Sequence, residues 1–368
     1  MRHFLRTVAK SMFAGGLYYT GTLATWRLAR RIAGEPRVHV LGFHRVVPDF
    51  VAATRTALPP LCVSRETFEA QLAYLSRHMD VLDLETAALA LRGARRLTRN
   101  ACVITFDDGY RDVYSQAFPI LRRLGLPAAV FISTGYVSTP KLLPHDRVYS
   151  TLVHASDQEP RPASPHAERW VALARARGAH LAVETAARNL PARRLLQVAE
   201  ELETAYGAGE PPDQDGHCLS WEQCHEMAQH GIEFGSHSVS HTPLAHEPRA
   251  LMLRELRDSL EEIEQRLPRR VRFVAYPNGV YSDEVMRTCR DLGVSAAFTT
   301  EDRPNRPGYT NPMCVGRKLL WEAHGRGFGQ RPSRALVAQS LENVTGELGF
   351  TGVPGRYPQT AEEESWQR

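Results

Sequence analysis

The chain has 368 residues, of which 43% are hydrophobic and 23% charged, with a formal net charge of +4 at pH 7. That length holds one large domain or two ordinary ones, and that apolar share is ample for a buried core. A mildly basic, unclustered balance excludes a nucleic-acid binder, while attraction to anionic membrane surfaces or acidic glycans stays open.

Residues 1–36 predict a basic amphipathic helical segment. Arg2, Arg6 and Lys10 recur every four residues as one stripe, with Phe4, Leu5, Val8 and Met12 opposite. The uncharged run from Ser11 to Trp26 falls short of the roughly 20 apolar residues that span a bilayer, and it contains polar Thr and Tyr. Arg27, Arg30 and Arg31 follow, and no small-x-small cleavage site stands out, which argues against a cleaved signal peptide. A helix lying on a membrane surface fits, and so does one packed on the protein's own body. Placement at a membrane or in the cytoplasm is left open.

From Arg37 the pattern becomes regular. Val38–Phe43 reads as a first strand, followed by a proline-containing loop from Asp49 to Leu61. Ser64 looks like an N-cap for a helix with Phe68, Leu72 and Leu75 at helical spacing. A short strand is expected over Asp80–Leu84 and a buried one over Ala101–Phe106. A helix from Val113 to Leu124 closes at Gly125, and a strand covers Ala128–Ile132. Residues 140–218 hold no clear strand but have helical stretches, including Leu195, Val198 and Leu202, and read as a helical insertion. Alternation resumes with a capping box at Ser220 and Gln223, a helix to Gln229, and a strand over Gly231–Gly235. A long helix is predicted to bury Leu253, Leu256, Leu260, Ile263 and Leu267. Strands follow over Val271–Ala275, Val294–Thr299 and Met313–Leu320, with a helix from Ser282 to Gly293 among them. Six to eight βα units suggest an α/β barrel, incomplete or distorted. The main domain would span 37–345, and the polar tail 346–368 reads as disordered. None of the six cysteines forms a C-x-x-C pair, so neither a zinc ribbon nor a redox dithiol is suggested.

Three segments at strand ends carry chemistry, on the edge where parallel α/β folds bind ligands. In Thr105-Phe106-Asp107-Asp108-Gly109-Tyr110, two adjacent carboxylates raise each other's pKa unless a cation intervenes. A divalent metal would satisfy one and free the other as a base, although Asp-Gly is also ordinary turn chemistry. In His237-Ser238-Val239-Ser240-His241, imidazoles four apart would share one face of a helical turn and grip one ion. The serines between them would orient the ring nitrogens. An aspartate with two histidines is a common open metal site. The third segment, Phe273-Val274-Ala275-Tyr276-Pro277-Asn278-Gly279, reads as a turn whose backbone can aim an N–H at an oxyanion.

TFDDGY, HSVSH and FVAYPNG, in this order, resemble the NodB-homology polysaccharide deacetylases, carbohydrate esterase family 4. LGFHRVV, SRETFEAQLAYL, PILRRLGLPAAVFISTGYV and LSWEQCHEMAQHGIEFGSHSVSH extend the resemblance over residues 37–320, much of the insertion excepted. It implies a distorted (β/α) barrel and metal-dependent hydrolysis of N-acetyl groups on a glycan. Asp107 would be the general base, and Asp108, His237 and His241 the ligands of a divalent metal, usually zinc. The Tyr276–Asn278 turn would face the oxyanion and substrate. Two departures stand out. Ala275 sits where many members carry an arginine that steadies the base, and no late Leu-x-His follows Cys314. The variety resembling exopolysaccharide N-deacetylases takes its acid from the end of the first strand, which is His44 here, and Arg317 is a candidate for the missing arginine. Rival expectations are deacylation of a membrane lipid-linked sugar, O-deacetylation of a glycan, or a non-catalytic glycan-binding or assembly protein on the same fold.

Overall fold

A computed structural model describes residues 2–33, 36–158, 164–209, 216–303, 305–327 and 331–342, so the expected disordered tail lies outside the described residues. The strands in chain order are β1 (Val38–Phe43), β2 (Arg45–Val47), β3 (Cys62–Ser64), β4 (Asp80–Val81), β5 (Ala101–Phe106), β6 (Ala128–Ile132), β7 (Ile232–Ser236), β8 (Phe273–Ala275), β9 (Ala296–Phe298) and β10 (Lys318–Leu319). One sheet runs β10-β1-β5-β6-β7-β8-β9, with β4 also on β5. Its pairings are parallel throughout. Val315 bridges Phe298 of β9, and Lys318 pairs with Leu41 of β1, so the segment between them draws the sheet's two edges together into a distorted barrel. β2 and β3 pair separately.

A parallel sheet is covered on both faces, which explains why β5 and β6 are apolar runs buried at every position. Alternate residues then part into two cores. Val40, Val103, Ala129, Phe131, Ala275 and Phe298 fill the barrel interior. Leu41, Ile104, Val130, Phe234 and Val274 point outward to the helices. Thr105 and Asp107 continue the inward parity of Ala101 and Val103, so the strand itself delivers a carboxylate to the barrel mouth.

The outer helices follow their sequence signals closely. Ser64 caps Arg65–His78 by accepting from the Thr67 N–H. Gly125, at φ 62°, ends Phe118–Leu124. Ser220 and Gln223 form the predicted capping box. In Arg249–Arg266 the buried stripe is Met252, Leu256, Leu260 and Ile263, whereas Leu253 is 37% exposed, one position off the packed face. The strand expected over Asp80–Leu84 ends at Val81, because Asp83 caps an unforeseen helix, Leu84–Leu91, that packs on the interior core. The loop 49–61 contains a short helix, Phe50–Ala53, capped by Asp49.

Residues 144–206 hold four helices, Pro144–Ser156, Pro165–Arg177, Ala179–Asn189 and Ala192–Tyr206, sharing a core that includes Leu152, Trp170, Val183, Leu195 and Leu202. The N-terminal stretch forms two helices, Arg2–Tyr19 and Thr22–Ile32, broken where Gly21 takes φ 78°. They pack on the body: Ala14 is buried against Ala335 and Leu336, Leu23 joins the main core, and Arg27 reaches Tyr74 at 2.8 Å. The predicted Arg2, Arg6 and Lys10 stripe lies among side chains outside those described. Among the described residues no helix is long and apolar enough to cross a membrane.

Candidate metal centre and its surroundings

Asp108 follows β5 in a left-handed turn, φ 71°, that tips its side chain toward the loop after β7. There His237 Nε2 and His241 Nε2 lie 3.4 and 3.0 Å from Asp108 Oδ1. All three residues are buried, and their donor atoms lie within 4.8 Å of one another. Asp108 Oδ1 is buried without a hydrogen-bond partner. His237 Nδ1 is held 2.7 Å from the Ala275 carbonyl, which fixes the proton on that nitrogen and leaves the Nε2 lone pair facing Asp108. An orphaned carboxylate oxygen and a free imidazole lone pair aimed at one point are what a divalent cation requires, so these residues fit such an ion.

The loop carrying the histidines is not the helical turn expected from their spacing. Ser238 and His241 take φ 65° and 57°. Glu255, on the helix Arg249–Arg266, accepts from the N–H groups of Val239 and Ser240 at 2.9 and 2.8 Å and from Ser240 Oγ at 2.9 Å. The serines therefore do not orient the rings as foreseen: Ser240 serves Glu255, and a carbonyl of β8 orients His237. Gly135 N–H donates to Val239 O, and a Cβ on Gly135 would meet that oxygen at 2.8 Å, so glycine is required there. Of the five non-glycine residues with positive φ among those described, Asp108, Ser238, His241 and Asn278 lie in the three motifs, which concentrates backbone strain at one place.

Asp107 faces Arg317. Arg317 is fully buried, donates to both carboxylate oxygens at 2.6 and 2.7 Å, and sends Nε to Thr299 O. It takes the place of the arginine absent at Ala275, reaching the same carboxylate from β10's entry. Burial pushes the Asp107 carboxyl up, but Arg317 and then His237 outweigh it and hold it below its ordinary value. For Asp108, burial is likewise overcome, chiefly by His241, and the carboxyl is held well below the usual range. Burial would lower His237, yet Asp107 and Asp108 raise it. His44, just past β1, lies 4.0 Å from Asp107 Oδ2. Burial lowers its pKa against the pull of Asp108 and Asp107, so the ring is mainly neutral at pH 7 and must acquire a proton to act as an acid.

In the third motif, Asn278 takes φ 56° and its side chain donates to Ala187 O of the four-helix segment at 2.8 Å. Its backbone N–H has no acceptor among the described residues, unlike those of Gly279 and Val280. Tyr276 lies in the core: its hydroxyl donates to Met313 O, its N–H to Phe298 O, and its ring stacks on Tyr281.

Sequence reasoning missed His145 and Asp146, in the first turn of Pro144–Ser156. Both are buried beside the centre, with His145 Nε2 at 3.7 Å from Asp108 Oδ2 and its ring 4.9 Å from that of His241. The only local signal was an ionisable pair after Pro144 in an apolar stretch, KLLPHDRVYS, which by itself does not reveal where the helix docks.

Residues 94–297 match the family profile described as Polysaccharide deacetylase. The Bacillus subtilis (strain 168) protein YxkH, assigned as a polysaccharide deacetylase, is 22% identical over 242 residues, covering 66% of this chain but 60% of that protein. Among solved structures, the Streptococcus pyogenes deacetylase PplD in complex with acetate superposes with a TM-score of 0.54 at 18% identity, covering 83% of this chain and 99% of PplD. IcaB from Ammonifex degensii gives 0.55 at 21% identity, covering 83% and 97%. At such identities these structures establish the fold.

Proposed function

The chain belongs to the polysaccharide deacetylase family, and from that premise we propose that it is a metal-dependent hydrolase removing N-acetyl groups from the amino sugars of a polysaccharide. The observation that carries this reading is the buried meeting of Asp108, His237 and His241 beside a second, separately held carboxylate, Asp107. A divalent cation held by the three, most readily zinc, would supply Lewis acidity toward the acetamide carbonyl and a lowered pKa for water. Asp107, kept ionised and oriented by Arg317, accepts the proton of the attacking water. The N–H of Asn278 is free to donate to the carbonyl oxygen as it gains charge. His44, 4.0 Å from Asp107, gives its own proton to the departing nitrogen once protonated, so that hydroxyl ends on the acetyl carbon, the water's proton on Asp107 and hydrogen on the amine. The direct test is acetate release from a panel of N-acetylated and O-acetylated glycans, with and without chelator. Chelator-sensitive release from N-acetylated polymers is expected, and no release from any of them would overturn the reading.

One observation favours a membrane-linked substrate as a second reading. The helices Arg2–Tyr19 and Thr22–Ile32 expose Met12 (73%), Phe13 (47%), Leu28 (57%) and Ile32 (77%). Residues 1–33 contain six Lys or Arg and no Asp or Glu. Exposed apolar side chains on a segment of this composition suit anionic lipid, where a lipid-linked sugar would be presented.

A further inference from the structure

The four-helix segment reaches toward the centre through a hydrogen-bonded chain that ends 3.7 Å from Asp108 Oδ2. Tyr110 follows the Asp-Asp-Gly turn and donates its hydroxyl proton to Asp146 Oδ2 at 2.6 Å. With that proton committed, the Tyr110 oxygen can only accept from His145 Nε2, 2.9 Å away, so the Nε2 proton belongs to His145. The same nitrogen lies 3.7 Å from Asp108 Oδ2, on the side of the carboxylate away from His237 and His241. The His145 ring also packs at 57° to that of His241. His145 thus touches two of the three metal-binding side chains while lying outside the cluster whose donor atoms converge. Arg45, with its guanidinium carbon 4.9 Å above the Tyr110 ring and Nε 2.7 Å from Asp112, fixes Tyr110 from the far side.

We propose that His145 is a positioning residue of the metal centre. Held by Tyr110 and Asp146, it sets the orientation of Asp108 and His241 and thereby makes the four-helix segment part of the ion's coordination shell at one remove. The inference rests on the metal centre proposed above. A ligand carboxylate has two oxygens, and when one meets the ion, a ring held rigidly against the other limits how the carboxylate plane can turn. A segment that reads in sequence as an interruption would then determine how tightly the ion is held.

The test is cobalt(II) titration of the full chain, with dissociation constants from chelator competition and the visible d–d band recorded alongside. The variants are His145→Leu, His145→Gln and Tyr110→Phe. Glutamine keeps an N–H near the place of Nε2, and leucine keeps only bulk. Loss of such an outer partner typically weakens metal binding about 10–100-fold. The expected result is a loss of that size and an altered band for His145→Leu, a smaller loss of the same sign for Tyr110→Phe, and recovery to within a few-fold for His145→Gln. If folded His145→Leu binds cobalt with unchanged affinity and band, the proposal is wrong. Equal loss in the leucine and glutamine variants would reduce His145 to packing and overturn it as well. Should His145→Leu fail to fold, an unchanged Tyr110→Phe would overturn it. Failure of the unsubstituted chain to bind cobalt would remove the metal centre itself, a separate and recognisable outcome.

Discussion

Asp107 and Arg317 form a buried pair whose two halves have different uses. The carboxylate is the proposed base, and the guanidinium, with no exposure, has no other carboxylate to meet among the bonds it makes. Asp107→Asn is expected to retain metal and lose about two to four orders of magnitude in turnover, read as acetate release beside metal content. It should also destabilise the fold by roughly 3–5 kcal/mol, because Arg317 is left charged and unpaired in the interior. Adding Arg317→Met should recover most of that stability in denaturant unfolding and none of the activity. The pair also has a pH signature. Asp107 is depressed in the folded state, so its contribution is complete at neutral pH and is lost as pH falls through the folded value, below the ordinary value of 3.8. The acid loss of stability should therefore be shallower in the double variant. His237 behaves oppositely. Its pKa is raised above 6.5, so protons compete with metal for its Nε2 once the pH drops below that raised value. Metal affinity is expected to fall by roughly tenfold per pH unit there, checked by chelator competition between pH 8 and 5.

At the scale of elements, the long helix Arg249–Arg266 does more than cover the sheet. Glu255 gathers two N–H groups and a hydroxyl from the loop between His237 and His241. Glu255→Ala leaves two backbone donors without their acceptor, at about 1–3 kcal/mol. It should also loosen the positive-φ conformations of Ser238 and His241. A fall of about 10–100-fold in metal affinity is expected, with Glu255→Gln falling less, and unchanged affinity in the alanine variant would show that the loop holds itself. These supports were not legible in the motif. HSVSH announces two imidazoles, but the partner that shapes the loop lies fourteen residues beyond His241 on a helix whose sequence pattern speaks only of apolar spacing. That pattern was itself read one residue wide, since Leu253 satisfies the spacing to Leu256 and Leu260 and still faces solvent.

For the whole molecule, the N-terminal helices are docked and exposed at once. Ala14 and Leu23 are buried, and Arg27 joins Tyr74 and Glu342, so the helices are part of the body. Met12, Phe13, Leu28 and Ile32 are left to the outside. Replacing Met12, Leu28 and Ile32 by serine removes apolar side chains that are more than half exposed. Stability should change by little, and binding to anionic lipid vesicles should fall about tenfold or more, with the residual binding weakened by salt. Equal vesicle binding by both forms, or none by either, would dismiss the membrane reading without touching the chemistry of the centre.

The sequence by itself determined the barrel and the edge of it that carries the three motifs. β5 and β6 are buried at every position, and apolar but for Thr105, because a parallel sheet is covered on both faces; Asp107 and Asp108 follow β5, and His237 and His241 lie in the loop after β7. What only the tertiary structure decided were the contacts made across the barrel. Arg317 replaces an arginine expected 42 positions earlier in the chain, Tyr276 turns from the site into the core, and His145 enters from a segment with no motif of its own. Local periodicity records which face of an element is buried. It carries no record of which distant side chain will fill the space opposite, since that depends on how the sheet closes and on where each helix comes to rest.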